Sequence, residues 1–132
     1  MQNIPLNEYL AQETELDIVL IDKLFQECAE EFDVAQKLID KYGIERERLG
    51  KIWGDYLGFA YVDPNKTIVT KEYVDRLGIE FIKENKVMPL YKFGKAITVC
   101  TSDPSNLYMQ DKLEKLLGEI VSLVFCFPFD LS

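Results

Sequence analysis

Two Gly-Lys pairs, Gly50-Lys51 and Gly94-Lys95, three cysteines and several paired carboxylates are the residues of this chain that could do chemistry. A phosphate-binding loop needs GxxxxGK followed by Ser or Thr, so that successive backbone N–H groups surround the phosphates and the hydroxyl holds magnesium. Lys51 is followed by Ile52 and Lys95 by Ala96, and no glycine stands five residues before Gly50 or Gly94. Nucleophilic catalysis of the common kind uses a histidine as base, and the chain has none. Cys28, Cys100 and Cys126 form no CxxC pair, which speaks against a zinc site or disulfide framework and for small core residues. Glu30-Glu31 and Glu45/Glu47 fall on expected solvated helix faces, and the stretch from Asp63 lacks the glycine and glutamate of a calcium loop. Catalytic residues, cofactor ligands and metal ligands are therefore all expected to be absent, and the chain is read as not being an enzyme.

What the elements must position instead is a surface, and charge says where. Residues 1–42 hold ten acidic and three basic side chains, almost all of the net charge of −8. Such a balance repels nucleic acid and anionic lipid, so a partner of this segment should be basic or apolar. No window reaches the roughly 18–20 apolar residues of a membrane span, and the start MQNIPLNEYLAQETE is unlike a signal peptide. A cytoplasmic protein without direct membrane insertion is expected.

Helical periodicity dominates the first half. TELDIVLIDKLFQECAEEF reads as a helix capped by Thr14, preceded by a short helix at NEYLAQ. Its apolar set, Leu16, Ile18, Val19, Leu20, Ile21, Leu24, Phe25 and Cys28, is wider than the stripe of about 100° that one packed face needs. Either two neighbours cover it or part of it docks a partner. VAQKLIDKY, capped by Asp33 and ended by Gly43, and ERERLGKIWGDYL, ended by Gly58, complete a helical subdomain over residues 1–58.

Residues 59–132 read differently, as an α/β sandwich subdomain. KEYVDRLG and IEFIKEN are short helices; residues 87–93 and 96–102 form a hairpin turning at Gly94-Lys95; Asp103-Pro104 caps a helix ended by Gly118; and residues 120–126 form a third strand. The expected fold class is α+β, the helical subdomain packed with a small three-stranded antiparallel sheet and its helices. Leu38, Trp53, Leu90, Ile97, Val99, Leu113, Leu116, Leu123 and Phe125 are the expected core.

The succession YLGFAYVDP, then VMPLYKFGKAITVCTSDPSN, then a helix ending LLGEIVSLVF resembles the N-terminal domain of type II secretion and type IV pilus assembly ATPases, over roughly residues 33–127. The same module precedes some membrane glycosyltransferases. The resemblance implies a fragment of a longer protein, a non-catalytic adaptor joined to a downstream ATPase domain of the same chain. It further implies docking on a cytoplasmic domain of an inner-membrane platform protein, which would hold the chain peripheral to that membrane. One subset of the family binds cyclic di-GMP through a phrase beginning RLGxxLxxxG. Aligned on Gly43, that phrase meets Val34, Ala35 and Gln36 where Arg, Leu and Gly belong; begun at Arg48, it puts Trp53 and Leu57 at its leucine and closing glycine. Cyclic di-GMP binding is thus the alternative, with no cofactor expected. The docking residues expected on the first long helix are Leu16, Asp17, Leu20 and Asp22, an apolar centre with charges beside it.

Overall fold

The computed structural model describes residues 3–131. The chain divides into two compact units, Met1–Gly58 and Phe59–Ser132.

Four helices build the first unit: α1 (Leu6–Glu13), α2 (Ile18–Glu27), α3 (Glu31–Asp40) and α4 (Arg46–Leu57). Leu10, Ile21, Leu24, Val34, Ala35, Leu38, Leu49 and Trp53 face inward from all four. The Trp53 ring stacks on Phe32 with centroids 5.5 Å apart. The long helix expected from Thr14 starts later. Thr14 donates its hydroxyl to the Leu10 carbonyl at 2.7 Å and accepts from the Leu16 N–H at 3.3 Å, so it ends α1 instead of opening α2. Asp17 is the actual cap, its carboxylate accepting from the Val19 N–H at 2.8 Å. Similarly α3 starts at Glu31, ahead of Asp33, whereas Gly58 ends α4 in the left-handed conformation as expected.

The second unit holds α5 (Lys71–Leu77), α6 (Ile79–Asn85), β1 (Val87–Phe93), β2 (Ala96–Thr101), α7 (Leu107–Leu117) and β3 (Ile120–Phe125). Strand order is β1-β2-β3, with β1 antiparallel to β2 as expected and β3 parallel to it, against the all-antiparallel expectation. The cause is the connection: a hairpin reverses the chain, but the helix α7 between β2 and β3 carries it back to start again from the same end. The sheet is therefore mixed within an α+β fold. A bulge at Leu90 interrupts the β1 pairing beside Pro89, which cannot donate to a ladder, and the freed Leu90 carbonyl accepts from Thr70 N–H at 2.7 Å.

Ile97, Val99, Val121 and Leu123 pack with Tyr73, Leu77, Ile82, Leu113 and Leu117 into the main core of this unit. Leu116 was expected there and is 44% exposed. Leu113 and Leu117, four apart, form the stripe that meets the sheet; Leu116 lies to one side of it. The α7 cap also differs, being Asn106 rather than Asp103, with Asp103 and Pro104 used in the preceding turn.

The outer edge of β3 is covered at both ends: Tyr61 bridges to Phe125 in parallel, with the Val62 N–H donating to the Phe125 carbonyl at 2.9 Å and the Phe125 N–H to the Ala60 carbonyl at 2.7 Å, and α7 covers Val121. Glu114 accepts from the Val121 N–H at 2.9 Å and Gln110 donates to the Val121 carbonyl at 2.8 Å. Glu114→Ala is expected to lower stability by about 1–3 kcal/mol, the scale of a charge-assisted hydrogen bond, with equilibrium denaturation as the check.

Candidate functional site

None of the chemical motifs assembles. Gly94 takes the positive φ of 62° that its hairpin turn requires, while Gly50 is buried within α4 and Lys51 pairs with Glu47 at 3.5 Å. Cys100 and Cys126 are fully buried, and contact with Cys100 together with burial pushes the Cys126 thiol far above its usual range, which keeps it protonated and inert. No group of three or more His, Cys, Asp or Glu side chains among the described residues could hold a metal ion.

Surface chemistry on α2 remains. Asp17 is exposed and caps the helix, while Leu16 and Leu20 are half-buried. Asp22 is half-buried and accepts from the Asn7 amide at 2.5 Å, which ties α2 to α1. Three of the four expected docking residues thus keep accessible surface free of that tie, and Asp22 is mainly structural. The residue missed is Val19, 72% exposed. Once the buried Ile21 and Leu24 define the inward side of α2, Val19, two residues before Ile21, lies about 200° round the helix from it, a distinction the apolar run alone does not carry.

Electrostatics around α2 is one-sided. The unit Met1–Gly58 carries thirteen acidic and six basic side chains. Several of those bases are already used: Lys23 pairs with Glu27 at 3.9 Å, and Arg48 grips both carboxylate oxygens of Glu15 at 2.7 and 3.0 Å while also donating to the Glu13 carbonyl. That fork holds the Glu15 carboxyl below and the Arg48 guanidinium above their usual values, hydrogen bonding being the largest cause for each. It also fixes the turn that presents Leu16 and Asp17. No helix among the described residues is long and apolar enough to cross a membrane.

Known structures share this fold of a helical unit and an α+β unit in succession along the chain. The structure of MshE with cdg superposes with a TM-score of 0.66 at 16% identity, covering 98% of this chain and 94% of that one. The N-terminal domain of XpsE superposes with a TM-score of 0.52 at 14% identity, covering 99% and 95%. No curated protein sequence matches. The MshEN domain family profile matches residues 57–132, more than half of the chain, and the chain belongs to that family, the N-terminal domain of type II secretion and type IV pilus ATPases.

Proposed function

We propose that this chain is a non-catalytic docking domain of a secretion or pilus-assembly ATPase, and that α2 binds a cytoplasmic domain of an inner-membrane platform protein. The observation that carries the reading is Val19, 72% exposed, between half-buried Leu16 and Leu20 on the most acidic part of the molecule. An apolar centre supplies affinity and surrounding charge steers a basic partner. The downstream ATPase domain of the same protein would supply the hydrolysis, with the whole assembly cytoplasmic and peripheral to the inner membrane.

Val19→Lys places a like charge before a basic partner and removes the apolar contact. It is expected to weaken binding of the platform domain by about tenfold or more in calorimetry, with the melting temperature nearly unchanged. Charge reversal at Asp17 or Asp22 is a poorer probe, because the first is a helix cap and the second binds Asn7. The purified chain should hydrolyse no nucleotide; turnover abolished by a substitution within it would end the non-catalytic reading.

The likeness to MshE, whose structure was solved with cdg, favours a second reading, cyclic di-GMP binding. The engagement of Arg48 by Glu15 weighs against it, since a guanidinium held by a carboxylate is withdrawn from guanine or phosphate. A ligand at 100 times its dissociation constant raises stability by about 2.7 kcal/mol, so a melting scan with cyclic di-GMP separates the two readings.

A further inference from the structure

Most cations of the unit Phe59–Ser132 are engaged. Lys71, Arg76, Lys92 and Lys115 are ion-paired and Lys112 lies over the Phe81 ring. Four other lysines of this unit, Lys66, Lys83, Lys86 and Lys95, have no carboxylate among the described residues within ion-pair distance, and of these Lys83 and Lys86 share a cleft. They stand together at the end of α6 and line a cleft of about 290 Å³ whose other walls are Ile82, Pro128 and Leu131. Ile82 is 5% exposed and makes an apolar floor, while Pro128 and Leu131 are half-buried.

Lys86 also has an unusual backbone. With φ 51° and ψ 53° it ends α6 in the left-handed region, the one described non-glycine residue with positive φ. At the end of α7 the corresponding place is taken by Gly118. A side chain is disfavoured in this conformation relative to glycine, and strain of that kind persists where the side chain has a use.

We propose that this cleft binds an acidic, apolar peptide segment of a partner protein. A carboxylate sits between Lys83 and Lys86 and a neighbouring apolar side chain lies on Ile82, Pro128 and Leu131. Two cations without acidic partners, beside an apolar floor, supply the charge complementarity. The volume suits a few side chains rather than a larger ligand. The site lies in the other unit from α2 and is independent of the docking proposed there.

The test follows backbone amide shifts of the full chain during titration with the blocked peptide acetyl-Leu-Glu-Phe-Glu-Leu-amide, and with the same peptide carrying lysine for glutamate. Expected are saturable shifts at Lys83, Lys86 and Leu131 with the acidic peptide alone, and affinity weakened by about tenfold or more in Lys83→Glu/Lys86→Glu. Lys86→Gly separates binding from architecture: it should raise the melting temperature while weakening the peptide, whereas a purely structural lysine would leave affinity alone. Shifts scattered over the chain, equal binding of the lysine peptide, or full affinity in the double variant would overturn the proposal. So would a response at these residues to anionic phospholipid vesicles and none to the peptide. Val19→Lys is expected to leave this binding unchanged, so either site can fail alone.

Discussion

Trp53→Ala is expected to lower the stability of the unit Met1–Gly58 by about 3–5 kcal/mol, the scale for emptying a buried aromatic site. Trp53 is 0% exposed, is the largest fully buried side chain among the described residues, and carries the stacking contact with Phe32. A helical unit this small has only a limited core over which to spread the loss. Since Trp53 is the sole tryptophan, fluorescence disappears with it, and far-ultraviolet circular dichroism during urea denaturation is the appropriate check. A loss below about 1 kcal/mol would mean that the α3–α4 packing closes over the cavity, contrary to a core organised around this ring.

Leu113→Ala is expected to destabilise the unit Phe59–Ser132 by about 2–5 kcal/mol, and Leu116→Ala by no more than about 0.5 kcal/mol. The contrast follows from position alone: Leu113 is fully buried against Ile97, Val99 and Val121, and Leu116 is 44% exposed. Denaturation midpoints of the two variants give the comparison. Equal losses would show that α7 is rotated about its axis relative to this account, which would also misplace Glu114 and Gln110 at the β3 edge.

Much of this architecture was legible because local chemistry and global fold agree. The hairpin at Gly94-Lys95, the stop at Gly58 and the bounds of β1 follow from turn glycines and alternation. The direction of β3 was legible too, for a strand, a helix and another strand in succession imply a parallel return, but reading strands without their connection hid it. The start of α2 was harder. Thr14 and Asp17 both satisfy the composition of a cap, and which one is used depends on the bond from Thr14 back to Leu10, a contact that no spacing rule contains. At the candidate site the breadth of apolar surface on α2 was readable, and the choice of Val19 over Ile21 as its outward member was not. That choice depends on which side of the helix its neighbours occupy.

Hydrogen exchange on the complex with the platform protein's cytoplasmic domain tests the docking reading most directly. Amides of α2 and of the turn before it, residues 15–23, should gain protection on addition of the partner, and Val19→Lys should abolish that gain while leaving exchange in the free chain unchanged. Protection confined to the unit Phe59–Ser132, or undiminished protection in Val19→Lys, would contradict it and remove α2 from the interface.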